Sequence, residues 1–337
     1  MASVAGPATR LASRRCRSAA ISEAQPAARH GLLRERSERP ADVRPIELFF
    51  DLVYVLAITQ LTRQLAEHLT VKGAGETLLL LLAVWGAWNH TSWVTNYFDP
   101  DARPVRLMLL AVMLASLIMS SSLPDAFAGG GLRFAAAFVA IQVGRTLFAL
   151  VALEHDHPRS PVFRRALAWW LLTGLIWLGG GLAHGNFRVA IWVIAAIGEY
   201  GGVWLGFPVP GLGRSSTTDY TIAGEHMAER CHGFVIIALG ESIVLTGANF
   251  GQLPSTAATA AAFAVAFIGT VAFWWVYFDR TAEAGRRVIA AASDPGRLGV
   301  SAYTYDHLPM PGSSWRPPPT NSRSPTPATA QRPRPRH

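Results

Sequence analysis

Between residues 45 and 278 the chain alternates long apolar runs with short polar connections. Eight runs approach the roughly 20 apolar residues that a helix needs to cross a bilayer. They lie near 46–66, 76–97, 105–123, 132–153, 165–183, 188–207, 229–249 and 257–278. Pro104, Pro124, Pro158, Pro208, Pro254 and the Gly129–Gly131 run fall in the connections and punctuate the helices. The pattern predicts an all-α, polytopic transmembrane helix bundle with about eight spanning helices. Glycine and alanine within the runs, such as Gly179–Gly181 and Gly201–Gly202, let helices approach closely in lipid.

Composition supports one membrane-embedded body, because half the residues are hydrophobic and only 15% are charged, mostly between the runs. The formal net charge of +8 is carried almost entirely by arginine, Lys72 being the single lysine. Connections after the second, fourth, sixth and eighth runs hold ten arginines, from Arg103 to Arg297. The other side offers Lys72, Arg133 and Arg188. With nine arginines up to Arg44, this asymmetry places the N-terminus in the cytoplasm. A basic chain of this distribution reads as membrane topology, with no nucleic-acid partner. Residues 1–43 read as a disordered Arg-rich cytoplasmic tail, 44–310 as the transmembrane helical domain, and 311–337 as a disordered Pro/Arg-rich tail. Cys16 and Cys231 lie far apart in unlike settings and imply no disulfide framework.

Ionisable residues inside membrane spans are expensive and therefore mark candidate sites. In the first run Glu47 and Asp51 stand one helical turn apart. The second helix returns inward with Asn89, His90 and Asn96, and the seventh starts on the same side with Glu225, His226, Glu229, Arg230 and His232. These groups are expected to share one inner-leaflet layer, with Arg230 paired to Asp51 or Glu229 and His90 as a neutral hydrogen-bonding neighbour. Glu47, Glu225 and His226, nearer the surface, are expected to be interfacial, with structural or capping roles. A second layer near the midplane is expected from Arg145, Glu199 and Glu241. Arg230 and Glu241, eleven residues apart, return to nearly one helical face. Asp51, Glu241, Glu199 and His90 are thus candidates for a proton or cation relay. Arg230, Arg145, Glu229 and Glu47 are counter-charges or structural partners, and helix register alone is the competing role for such pairs.

Other chemistry ranks lower. His155 and His157 sit in a polar loop and are read as solvated, with no metal site. Ser242 in Gly240–Ser242 lacks the flanking residues of a nucleophile elbow. No phosphate-binding glycine loop or zinc spacing occurs. The chain is expected to be no enzyme and to need no cofactor.

Four segments, IELFFDLVYVLAITQL, WNHTSWVTNYFDPD, QVGRTLF and EHMAERCHGFVIIALGESIV, resemble the bacterial low temperature requirement A family in the right order. The resemblance covers about residues 44–310 and implies a multi-pass inner-membrane protein whose family supplies no catalytic set. Its signature positions here are Glu47, Phe50, Asp51, Asn96, Asp99, Arg145, Glu229, Arg230, Glu241 and Ser242. Locally, FFDLVYVLAIT is similar to the first-helix motif of a class of potassium channels. The leading expectation is a secondary transporter or exchanger of the cytoplasmic membrane. A cation channel and a non-transporting scaffold in stress adaptation are the alternatives. Its partners are the lipid bilayer and a small ion or small-molecule substrate, and a homo-oligomer is compatible with the composition.

After Met310 the family resembles a continuing run of apolar helices, whereas this chain turns to proline and arginine. One legitimate encoding of Gly312–Gln331, read from its third base, gives Ile-Ile-Val-Ala-Ala-Ala-Ala-Asp-Glu-Leu-Ala-Ile-Ala-His. A frameshift that removes further helices is therefore expected. Resequencing the gene across this point should reveal the broken frame; an unbroken one would sink the idea.

Overall fold

A computed structural model describes residues 32–34, 43–153, 157–216, 224–281 and 304, except the side chains of 280 and 281. The two tails lie almost wholly outside the described residues, as do the suspected frame break and His155. Eight long helices follow in order: α1 (Pro45–Glu67), α2 (Val71–Tyr97), α3 (Arg103–Ser121), α4 (Gly131–Ala152), α5 (Ser160–Leu182), α6 (Gly185–Leu205), α7 (Gly224–Phe250) and α8 (Ala257–Trp275). A π-helical turn, Val276–Thr281, continues α8. Seven of the eight are long and apolar enough to cross a membrane; α5 is the exception. It is nonetheless 23 residues long and packs between α4 and α6, and its tryptophans and glycines lower its apolarity.

Helices α2, α5 and α7 each begin about five residues before their apolar runs. Their first turns are polar, so apolarity does not mark them, and capping does. The Thr70 hydroxyl accepts from the Gly73 amide at 3.0 Å at the start of α2, and Pro161 sits in the first turn of α5, where no amide hydrogen is needed. Gly206 ends α6 in the left-handed region at φ 74°, where a side chain would also meet the Ser215 carbonyl.

Burial is inverted relative to a soluble protein. Glu47, Asp51, Arg145, Glu199 and Arg230 are buried, while Leu107, Leu114, Leu175 and Ile197 are exposed. An apolar exterior around a charged interior is what a bilayer demands of a helical bundle. The chain is therefore a multi-pass membrane protein.

At the centre stands α2, packed against α1, α4, α6 and α7. The amide of Arg34 donates to the Tyr97 carbonyl and that of Asp99 to Leu32, so the N-terminal segment lies at the end of the bundle where α2 finishes. At the opposite end Arg188, 3% exposed, donates to the carbonyls of Ala126 at 2.8 Å and Ala183 at 2.9 Å. It thereby ties two connections together and places a cation at the C-terminus of α5. Two helices are less enclosed: α7 packs on α1 and α2 through its first half, and α8 packs on α7 with none of its residues buried.

Close packing of α5 on α4 depends on Gly181, where an added Cβ would lie 3.0 Å from the Leu132 Cα and 3.1 Å from the Gly131 carbonyl oxygen. Both obstacles are backbone, so the helix must move. Gly181→Leu should destabilise by about 1–3 kcal/mol, read as a lower thermal midpoint in detergent. Gly179→Leu, which meets nothing within 4 Å, should leave the midpoint unchanged.

Candidate functional site

Two polar clusters lie inside the bundle, each built on α2 with different partners. In the first, α1 presents Glu47 and Asp51, both fully buried, to α2 and α7. Arg230 grips Asp51 with both terminal nitrogens, Nη1 to Oδ2 at 3.0 Å and Nη2 to Oδ1 at 2.9 Å. Trp88 Nε1 adds a third donor to Oδ1 at 2.7 Å, and Arg230 Nη2 also donates to Ser92 Oγ at 3.3 Å. The guanidinium lies 5.5 Å from the Phe50 ring centroid and 5.7 Å from that of Trp88. A bidentate pair so enclosed is geometrically specific, and its energy depends on every donor being used.

One turn nearer the N-terminal end, Glu47 Oε2 accepts from the Arg44 amide at 3.0 Å and from Arg34 Nη2 at 3.4 Å. His226 Nε2 donates to Glu47 Oε1 at 3.0 Å. Asn96 Nδ2 donates to the opposite ring nitrogen at 3.3 Å, which fixes the neutral tautomer. Glu47 and His226 are thus fully buried rather than interfacial. Position along a helix suggests the surface, but the segment holding Arg34 and Arg44 closes over them.

The second cluster joins α2, α4, α5 and α6. Arg145 Nη2 donates to Gln142 Oε1 at 2.6 Å, and Gln142 Nε2 donates to Glu199 Oε2 at 3.0 Å and to His90 Nδ1 at 3.3 Å. Arg145 Nη1 donates to Thr91 Oγ1 at 3.1 Å, and Thr173 Oγ1 donates to Glu199 Oε1 at 3.4 Å. Arg145 and Glu199 therefore communicate through an amide and form no direct ion pair. A cavity of about 90 Å³ lies against this cluster, with His90, Trp93, Arg145, Phe163 and Trp170 in its wall.

These positions correct three expectations. His90 belongs to the second cluster and not beside Asp51, because α2 turns it toward α4 while Trp88 and Ser92 face α1 and α7. Glu241 does not join Arg145 and Glu199: its Oε1 accepts from Thr59 Oγ1 of α1 at 2.8 Å. Helix α7 packs on α1, so similar depth does not mean proximity. Glu229 is exposed while its neighbour Arg230 is buried, so Asp51 takes the guanidinium. Arg230 and Glu241 do share the face of α7 that meets α1, and Gly233 between them lies against Leu48 and Asp51. The Ser242 hydroxyl donates to the Ala238 carbonyl of its own helix at 3.1 Å, on an exposed face.

Trp88, Ser92 and Gln142 complete these networks and have no counterpart among the sequence candidates. Their signals were spacing: Trp88 and Ser92 are four apart on α2, and Gln142 stands three before Arg145 on α4, each pair sharing a helix face. An indole N–H buried in a membrane helix also needs an acceptor.

Breaking the first pair should be costly. Asp51→Ala leaves a buried guanidinium and should destabilise by about 3–5 kcal/mol, whereas adding Arg230→Met should recover much of that loss. Thermal unfolding of the single and double variants in detergent measures the coupling; strictly additive losses would contradict it.

The family model of the bacterial low temperature requirement A protein (LtrA) matches residues 42–313. An uncharacterized protein of Rhizobium meliloti (strain 1021) is 38% identical over 284 residues, spanning 84% of this chain and 69% of its own length. No solved structure matches the chain. The Asp51–Arg230 pair and the Arg145 cluster lie within the matched region, and the chain belongs to the bacterial low temperature requirement A family of membrane proteins.

Proposed function

We propose that this protein is a secondary transporter of the cytoplasmic membrane, with its N-terminus in the cytoplasm, and that Glu199 is its proton-coupling group. The observation that carries this reading is the setting of Glu199. Its two oxygens are held by Gln142 and Thr173, neutral donors, next to a cavity whose wall includes Arg145. Such a carboxylate gains or loses a proton without breaking an ion pair. Asp51 has no such freedom, since three donors from Arg230 and Trp88 occupy it. We assign Asp51 and Arg230 to holding α1, α2 and α7 in register. His90 is a polar neighbour of the coupling group, and Glu241 lies on the α1–α7 contact as a second carboxylate of open role. Transport without covalent chemistry suits a site of one arginine, one amide and one carboxylate, and no cofactor is invoked.

The test uses vesicles carrying the full chain and a trapped pH-sensitive dye. Gradients of organic anions, sugars, amines and alkali cations are imposed in turn, with protein-free vesicles subtracted. One gradient should drive saturable proton movement, Glu199→Gln should reduce it to the protein-free level, and Asp51→Asn should lower the yield of folded protein instead. Undiminished coupling in Glu199→Gln would remove Glu199 from the mechanism. Ion flux that neither saturates nor moves protons would make the protein a channel.

A further inference from the structure

The second cluster leaves two buried hydrogen-bond donors unused, and both belong to residues that line the same cavity. Arg145 can only donate, so Gln142 must turn its oxygen to Nη2 and its nitrogen to Glu199 and His90. That nitrogen only donates, so His90 Nδ1 is an acceptor, and the proton of the neutral ring sits on Nε2. His90 Nε2 is buried and has no hydrogen-bond partner. Arg145 is 1% exposed, and its Nε is likewise buried without a partner. Orphaned donors are rare in protein interiors, and a pair on one cavity wall points to an acceptor that belongs there.

The rest of the cavity defines that acceptor. No Asp or Glu is among its lining residues, and the Thr146 hydroxyl in its wall already donates to the Gln142 carbonyl at 2.7 Å. Trp93, Phe163, Trp170 and Phe207 make most of the remaining surface apolar. Arg159, at the start of α5, and Tyr97 line it toward the end of the bundle that holds the N-terminal segment. His90 lies seven residues further along α2, about 10 Å deeper. At about 90 Å³ the space is smaller than the ~150 Å³ apolar cavity that accommodates benzene. A ligand must be small, anionic at one end and apolar at the other.

We propose that this cavity is a binding site for a short-chain monocarboxylate, of the size of propionate. The carboxylate head accepts from Arg145 Nε and His90 Nε2, and the hydrocarbon tail lies among the aromatic rings. Through Gln142, the bound anion sits at one end of a chain whose other end is Glu199. The charged groups there are Arg145 on α4 and Glu199 on α6, with neutral His90 on α2 and uncharged Thr173 on α5. One cation then faces two carboxylates, and the balance is restored when one of them carries a proton, which couples anion to proton. The coupling rests on the transport reading; the binding site does not.

Full-length protein purified in detergent is titrated with sodium propionate and followed by intrinsic fluorescence, since Trp93 and Trp170 line the cavity. Saturable quenching is expected, with none from propylammonium chloride and no equal competition from chloride. His90→Phe keeps the ring and removes one donor, and should weaken binding about tenfold. Ala166→Leu, which fills the cavity from α5, should abolish binding at unchanged helix content, and Val203→Phe from α6 replaces it should that variant misfold. Non-saturating quenching, equal competition by chloride, or binding unchanged in His90→Phe and in the folded cavity-filling variant would overturn the site. Saturable propionate binding without propionate-driven proton movement in vesicles would leave the site standing and remove the transport reading.

Discussion

The bidentate contact between Asp51 and Arg230 is the interaction on which the bundle depends. In lipid, no water completes the hydrogen bonding of a buried carboxylate or guanidinium, so the protein must supply every partner. Here three helices do so together: α1 brings the carboxylate, α7 the guanidinium, and α2 the indole and hydroxyl that use up their remaining capacity. Sliding any of the three along its axis would strand a charge. The Glu47–His226–Asn96 chain repeats the same three-helix join nearer the end of the bundle, so two rungs fix both the depth and the rotation of α7. Past this region α7 loses enclosure, and α8 rests on it alone with its surface turned outward.

A second constraint follows from the central place of α2. Trp88 and Ser92, four residues apart, face α1 and α7, whereas Ala87 and Thr91, one position earlier each, meet Arg145 from α4. A rotation of about 100° per residue is enough to put neighbours in sequence into separate polar compartments. The helix therefore works as a partition. On one side charge is saturated and rigid; on the other Arg145 and Glu199 are kept apart by Gln142, and donors are left over at a cavity. A saturated ion pair resists change, while an unsaturated cluster beside open space offers a place for a ligand and a proton.

Family membership locates the protein in a membrane without naming its chemistry, since the relative at 38% identity is itself uncharacterized. The functional argument accordingly rests on donor and acceptor accounting inside the bundle. The aromatic residues enter that accounting as more than apolar bulk. Trp88 and Phe50 flank the Arg230 guanidinium, and Trp170 lies 4.8 Å from the His90 ring, centroid to centroid. Each provides a low-dielectric wall that strengthens the polar contacts it encloses.

The amino-acid sequence by itself determined the helical membrane bundle, the approximate span of each helix and the set of ionisable residues buried in it. These follow from the length and apolarity of single segments, which are local properties. It also made Asp51 a natural partner for Arg230, because both lie about one turn inside the same end of antiparallel helices. Only the tertiary structure decided which groups of equal depth touch. Glu241 and Glu199 lie at similar height but on opposite sides of α2, and His90 turns away from Asp51 because of the rotation of one helix, which a hydrophobic pattern spread around the whole circumference does not encode. The burial of Glu47 depends on a distant segment, Arg34 to Arg44, folding over it. The roles of Trp88, Ser92 and Gln142 came from hydrogen-bond satisfaction between helices, a condition that exists only once the helices are packed.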